Sequence, residues 1–356
     1  MFESGKAPMN KQGDMVTQQD VAERARVSRS VVSYVLNNGP RNVSEETRQR
    51  VMDAIQELGY RPNKHAQRLK QGSDAVKNTI GIVTGGQSYN MLNRPYYNLV
   101  LAGLFDSAYH RNQHIRFFSF FDALKDPVFF NKNIHHDEIS SLILLLPQMI
   151  TSTPGHEDIL DTMIERIDNI ICLEDSIKGL PAVIFDRAAA AHMAVEHLIK
   201  LGHQRIAFLA IEDQRWQGYR QALLEHNLPY DEALIRVMSA VEPSQSAYRL
   251  TLELLESGKM PTAIFAANDE AAIAAIAALH DRGLRVPDDV AITSIDDIEL
   301  ARMIRPALTT VNVPKRRMGT YAIQFLISQR EILSAHAASM VLPIELIIRD
   351  SCGAHT

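Results

Sequence analysis

From Ile80 to Asp296 the sequence alternates short apolar runs with longer amphipathic stretches, and this alternation restricts the fold more than any other feature. "TIGIVT", "HIRFFSF", "SLILLLP", "NIICL", "PAVIFD", "RIAFLA", "TAIFAAND" and "VAITSID" have strand length, and each is bounded by turn or helix-start residues. Helical periodicity fills intervals at 97–111, 188–201, 216–226, 245–257 and 270–282. Parallel strands need crossovers of a dozen or more residues, usually helices, so the pattern predicts βαβ units and parallel sheets. The span 79–356 exceeds what one compact core usually takes. Two α/β lobes with a cleft between them are the expected solution, with ligands at the carboxyl ends of the strands.

The first part of the chain has a different grammar. Residues 1–15 are polar, contain Gly5, Pro8 and Gly13, and read as a disordered leader. Three short helical patterns follow within 16–61. The first starts at Thr17 with Asp20 three residues on, as in a capping box, and carries Val21, Ala22 and Ala25 on one face. The second opens at Ser28, a hydroxyl able to cap free N–H groups, and spaces Val31, Val32, Val35 and Leu36 helically. The third starts at Ser44, places Glu45 and Glu46 in its first turn, packs Val51, Ile55 and Leu58, and stops at Gly59. A helix, a tight turn and a second helix with small polar residues at its start form a helix-turn-helix pattern, in which the second helix enters the DNA major groove. Ser28, Arg29, Ser30, Ser33 and Tyr34 are then the candidates for base edges, and Thr17, Ser28 and Asn37 for phosphates. Arg29 suits bidentate contact with guanine.

Charge supports this division. The chain carries a formal net charge of −5, but residues 1–72 hold 12 Lys and Arg against 8 Asp and Glu, while the rest holds 25 against 34. A basic head on an acidic body draws a polyanion to one end. The sequence lacks a signal-like start and any run of apolar residues long enough for a membrane span, so a cytoplasmic protein without membrane contact is expected. Its two cysteines, Cys172 and Cys352, have neither a CxxC partner nor ligand-spaced histidines. No metal and no cofactor is expected. His135, His136, Asp137 and Glu138 are adjacent and read as a solvated run whose side chains do not converge.

"DVAERARVSRSVVSYVLN" followed by "VSEETRQRVMDAIQELGYRPNKHAQRL" resembles the DNA-binding head of the LacI/GalR family of bacterial transcription regulators. The resemblance extends over nearly the whole chain through "NRPYYNLVLAGL", "HLIKLGHQRIAFL", "RWQGYRQAL", "AANDEAAIAAIAAL", "RGLRVPDDVAITSIDD" and "PALTTVNVP". It implies a three-helix head at 16–61, a hinge helix and linker at 62–78, and a periplasmic-binding-protein-like core of doubly wound parallel sheets at 79–356. The implied lobes are 79–184 with 314–338, and 187–311 with 341–351. The hinge would fold in the minor groove, with Leu69 wedging between base steps and Ala66 beside it. Tyr34 stands where many relatives carry Arg, Arg26 fills a turn position usually given to Gly, and Ser294 stands where Gly is usual.

For the effector, the resemblance points to Arg215, which can fork onto hydroxyls, a carboxylate or a phosphate, and to Asn268, Asp269 and Asp296 at strand ends. Asp269 is either a ligand contact or the N-cap of the helix that follows it. Tyr96 is expected to stack on a sugar face and Tyr97 to pack in the core. Glu174 and Asp186 lie near the lobe crossover. The implied function is a homodimeric regulator, by default a repressor, that binds a pseudo-palindromic operator in double-stranded DNA under control of a sugar or related metabolite in the cleft. The alternative is a solute-binding or enzymatic two-lobed protein with an incidental helical head. It requires a nucleophile–base pair or a signal peptide, and neither is visible.

Overall fold

The computed structural model describes residues 16–37, 43–60, 78–86, 91–239, 243–331 and 339–354. The leader, the hinge segment and with it Ala66 and Leu69 lie outside the described residues. Two compact units divide the chain: Met1–Gln87 with Phe105–Ala182 and Thr320–Ser339, and Ser88–Leu104 with Val183–Gly319 and Met340–Thr356.

In the head, α1 (Gln18–Ala25), α2 (Arg29–Asn37) and α3 (Glu45–Leu58) enclose one small core. Val21, Ala22, Ala25, Val32, Val35, Val51, Ala54, Ile55 and Tyr60 are its buried residues. Thr17 and Asp20 form a reciprocal capping box at α1, and Ser44 accepts from Thr47 N–H at α3. Three helices this short are marginal alone, so their stability comes from the shared apolar faces. The turn between α1 and α2 requires a left-handed residue, and the chain places Arg26 there at φ 56° and ψ 49°. A Cβ in that region is strained, and the strain is held by the Arg26 N–H bonding back to Ala22 and Glu23 carbonyls.

All eight expected strands are present. They are β1 (Thr79–Thr84), β2 (His114–Phe120), β3 (Ser141–Leu145), β4 (Ile170–Leu173), β5 (Ala182–Phe185), β6 (Ile206–Ala210), β8 (Ala263–Ala266) and β9 (Ala291–Asp296). Four shorter strands lacked a clear sequence signal: β7 (Ile235–Val237), β10 (Thr309–Asn312), β11 (Met340–Leu342) and β12 (Glu345–Ile347). They form two six-stranded sheets, ordered β11-β5-β4-β3-β1-β2 and β12-β10-β9-β8-β6-β7. Pairing is parallel at β11–β5, β4–β3, β3–β1, β1–β2, β10–β9, β9–β8, β8–β6 and β6–β7, while at one edge β12 runs antiparallel to β10. Every residue of β1, β3, β4, β6, β8 and β9 is buried. Strands covered on both faces read as continuous apolar runs, which is why they were visible in the sequence.

Crossover helices complete the units. They include α4 (Pro95–His110), α5 (Pro127–Asn133), α6 (Pro147–Thr151), α7 (Glu157–Arg166), α8 (Arg187–Lys200), α9 (Gln214–Glu225), α10 (Pro243–Glu256), α11 (Asp269–Asp281), α12 (Glu299–Met303) and α13 (Lys315–Glu331). Asp186 caps α8 by accepting from Ala189 N–H at 2.8 Å. Helices α8 and α9 approach so closely that a Cβ on Gly218 would lie 2.0 Å from the Ala188 carbonyl oxygen. That oxygen belongs to a helix backbone and cannot swing aside, so only glycine fits. Among the described residues, no helix is long and apolar enough to cross a membrane.

Gly218→Ala should therefore push α9 from α8 and destabilise the protein by about 1–3 kcal/mol, the usual cost of overpacking. Urea unfolding followed by circular dichroism measures this, and a midpoint equal to wild type would refute the close-packing argument.

Candidate functional site

The head presents its polar residues as a helix-turn-helix requires. Thr17, Ser28, Arg29 and Ser30 are exposed, whereas Ser33 and Tyr34 are half-buried on the same helix. Ser28 Oγ accepts from Val31 N–H at 3.4 Å, so the residue also starts α2. Arg29 Nε reaches Gln18 Oε1 at 3.5 Å, a long contact that leaves the guanidinium in solvent. Asn37 is the last residue of α2. The apolar residues of α1 and α2 fix the angle between the helices, and the exposed start of α2 carries donors with reach.

A second constellation gathers at the carboxyl ends of β6, β8 and β9. Asp213 caps α9 by accepting from Arg215 N–H at 3.0 Å. The same carboxylate receives Arg215 Nε at 3.0 Å and Nη2 at 2.6 Å, while Arg215 Nη1 donates to the Ala267 carbonyl at 2.8 Å. Burial would push the Asp213 carboxyl up, but the Arg215 hydrogen bonds and charge hold it below the usual range. Arg215 thus arrives already neutralised by a bidentate partner.

Asn268 is the N-cap of α11, its side chain accepting from Ala271 N–H at 2.9 Å. This settles the alternative left open for Asp269, which is not the cap but the first residue of the helix. Its carboxylate is fully buried and accepts from Ser294 Oγ at 2.5 Å, Thr310 Oγ1 at 2.6 Å and Ile298 N–H at 2.7 Å. Burial raises the Asp269 carboxyl above its ordinary range, while these three donors pull it back down. Both oxygens are engaged inside the protein, so Asp269 builds the site from within. Ser294, noted as a departure from glycine, is one of its donors.

Asp296 closes β9 in an unusual backbone conformation, φ 124°, followed by Asp297 at φ 54°. Lys315 holds this corner. Its buried ammonium donates to the carbonyls of Asp296, Asp297 (3.1 Å) and Val313 (3.0 Å). Burial lowers the Lys315 pKa, against the pull of Asp296, Asp269 and Asp297. The Asp296 side chain is 6% exposed, and among the described residues no hydrogen bond reaches its carboxylate. Buried polar groups are nearly always bonded, and strained backbone concentrates where function needs it. Burial first, and then the Asp269 charge, push the Asp296 carboxyl up to about 8, while Lys315, Arg94 and Arg215 oppose the rise.

Arg94 and Glu270 form a half-buried ion pair at 2.8 Å, and the Arg94 guanidinium sits 5.3 Å from the centre of the Tyr97 ring. Tyr96 is 4% exposed, with its hydroxyl 3.4 Å from Met318 sulfur and its ring edge-on to Tyr97 at 5.1 Å. Of the residues expected at the site, Arg215, Asn268, Asp269 and Asp296 stand at the strand ends, whereas Tyr96 is buried against Met318 and Tyr97 and shows no open face for stacking; Arg94, Asp213, Glu270 and Lys315 carried no expectation. The signal available for Asp213 was its position two residues before Arg215 at a helix start. A lone lysine after "NVP" gave none.

Comparison with known proteins covers both the head and the core. Residues 17–63 match the bacterial regulatory proteins of the lacI family, and residues 195–352 match a periplasmic binding protein-like domain. The HTH-type transcriptional regulator DegA of Bacillus subtilis (strain 168) is 32% identical over 358 residues, covering 93% of this chain and 96% of that protein. A solved complex of the transcriptional regulator CelR with cellobiose has TM-score 0.67 and 26% identity, covering 94% of this chain and 99% of that one. The lac repressor dimer bound to operator and the anti-inducer ONPF has TM-score 0.66 and 27% identity, covering 95% and 99%. These relatives are transcriptional regulators and not enzymes, so the enzymatic alternative falls. The chain belongs to the LacI family of bacterial regulatory proteins and is a DNA-binding transcriptional regulator.

Proposed function

We propose that this regulator is an effector-controlled repressor whose ligand is a neutral, hydroxyl-rich molecule of the sugar class. The observation that carries the reading is Asp296: a buried carboxylate, without a hydrogen-bond donor among the described residues, held in a strained corner at a strand end. Such a carboxyl group, which keeps its proton up to about pH 8, can donate to one ligand hydroxyl and accept from another. Arg215 is already forked onto Asp213, so its remaining N–H groups can donate to a hydroxyl but offer little net charge to an anion. This favours a sugar over the acid or phosphate that Arg215 alone would also fit. Asn268, next to Asp269 at the start of α11, supplies in this reading a polar contact, while Asp269 supports the corner from within. The cellobiose complex of a structural neighbour supports the ligand class.

The head, in this reading, binds a pseudo-palindromic operator as half of a homodimer. Arg29 with Ser30, Ser33 and Tyr34 reads base edges, Thr17, Ser28 and Asn37 set register on phosphates, and Leu69 and Ala66 enter the minor groove. A second copy is argued from α4, whose outer face carries Leu99, Phe105 and Tyr109 at 37%, 47% and 80% exposure, and from the dimeric neighbour. Effector control requires only that the ligand bind one arrangement of the dimer better than the other, by the roughly 1–3 kcal/mol typical of allosteric coupling.

Selection of bound duplexes from a random pool, repeated with a panel of sugars, tests the whole reading. A palindrome whose recovery one sugar alters is expected, and recovery of no preferred sequence would end it. Within that palindrome, Arg29→Ala should cost about 1–3 kcal/mol and relax preference at one base pair per half-site. Sedimentation should show wild type as a dimer and Phe105→Asp shifted toward monomer. An unshifted variant would remove α4 from the interface.

Trp216 is the sole tryptophan and packs against Phe208 at 5.0 Å and Tyr219 at 5.9 Å beside Arg215, so its fluorescence reports binding. Asp296→Asn should weaken the selected sugar by about 10- to 100-fold above about pH 8, where Asp296 is charged, the worth of a hydrogen bond to a charged group. The same variant has a pH signature without ligand. Between the ordinary value of 3.8 and about 8, the folded protein keeps a proton that the unfolded chain releases. The stabilising contribution is therefore complete below about pH 4 and is lost as pH rises through about 8. Relative to wild type, Asp296→Asn should gain stability between about pH 5 and pH 8, and parallel urea midpoints would contradict the buried-acid assignment.

A further inference from the structure

The sequence expectation that His135, His136 and Asp137 do not converge is corrected by the fold. One ligand atom from each of the three lies within 4.8 Å of the others. The convergence comes from a tight turn between α5 and β3. Glu138 N–H and Ile139 N–H both bond to the His135 carbonyl, at 2.9 and 3.0 Å, winding the three residues into one coil so that adjacent side chains can face the same point. Ile139 is fully buried and anchors the turn in the first unit, and His135 is itself buried at 7% exposure. The two imidazole rings lie 4.1 Å apart, tilted by 32°.

Asp137 completes the group. Its Oδ2 lies 3.4 Å from His135 Nδ1 and its Oδ1 lies 3.2 Å from His136 Nε2. The two separations run to different carboxylate oxygens, and the ligand atoms of the three residues lie within 4.8 Å of one another, so gathering them on one tetrahedral ion, whose ligand atoms stand about 3.3–3.6 Å apart, takes a small side-chain adjustment. The neighbouring acid is committed elsewhere: Glu138 pairs with Arg116 at 3.3 Å, which keeps that cation occupied. His135 Nδ1 also accepts from Asp137 N–H at 3.2 Å, a long bond that fixes the ring and that an ion at this nitrogen would displace. His136 is the exposed member, its side chain 60% accessible, and gives the group an opening to solvent.

We propose that His135, His136 and Asp137 form a site for one divalent transition-metal ion of the zinc type, with solvent in the remaining position. Two imidazoles and one carboxylate suit Zn²⁺, Ni²⁺ or Cu²⁺ and disfavour Ca²⁺ and Mg²⁺, which prefer all-oxygen shells. The test of this site does not depend on the effector.

Untagged, chelator-treated full-length protein titrated with Zn²⁺ by calorimetry should take up one ion per chain with measurable heat. With Co²⁺ in place of Zn²⁺, the protein should show the visible absorption of a four- or five-coordinate ion. His136→Ala, at an exposed side chain that leaves the fold intact by circular dichroism, should weaken Zn²⁺ at least 10-fold and abolish the Co²⁺ spectrum. Asp137→Asn should weaken Zn²⁺ likewise. Absence of uptake by wild type overturns the proposal, as does uptake by folded His136→Ala equal to wild type, which would place the ion on other histidines.

Discussion

A single buried carboxylate organises the carboxyl-terminal end of the second sheet. Asp269 stands at the start of α11 and draws together β9 through Ser294, β10 through Thr310, and the chain after the strained corner through Ile298. An isolated buried charge is costly, and this one is tolerated because three short donors satisfy it. Its own field then works outward. It raises the neighbouring Asp296 carboxyl, and together with Asp296 it draws on the Lys315 ammonium that pins the corner carbonyls. The geometry of the candidate site is thus set by groups whose hydrogen bonds are made within the protein, while the Asp296 carboxyl has no donor among the described residues.

The head follows the same division of labour with different materials. There the support is apolar, a core of nine buried residues, and the exposed start of α2 carries the chemistry. In both places the fold fixes a small number of polar groups by binding their neighbours. Arg29 keeps its reach because the helix beneath it is packed, and Arg215 keeps its orientation because Asp213 grips its fork.

Much of this was legible in the sequence where one physical rule dominates. Doubly covered strands read as apolar runs, and all eight expected ones formed. Thr17 and Asp20 announced a capping box, and Arg26 at a glycine position announced a left-handed turn. Less legible were features created by tertiary meeting. The short strands β7, β10, β11 and β12 have only three or four residues each, too few for periodicity to show, and their pairing is decided by neighbours. Lys315 became part of the site because three carbonyls from β9 and the following segments converge on it. Asp269 carried two plausible local roles, cap or ligand contact, and burial selected a third. The convergence of His135, His136 and Asp137 depended on two hydrogen bonds to one carbonyl, invisible to spacing arguments.

The hydroxyl at Ser294 has a bearing on how such a protein changes over generations. Because Ser294, Thr310 and Asp269 satisfy one another in a sealed place, none can be exchanged at leisure. Loss of either hydroxyl strands part of a negative charge, and loss of the acid orphans two hydroxyls at once. Drift at these three positions is therefore correlated, and a lineage that abandons one partner is expected to remodel the others before it can explore a new ligand.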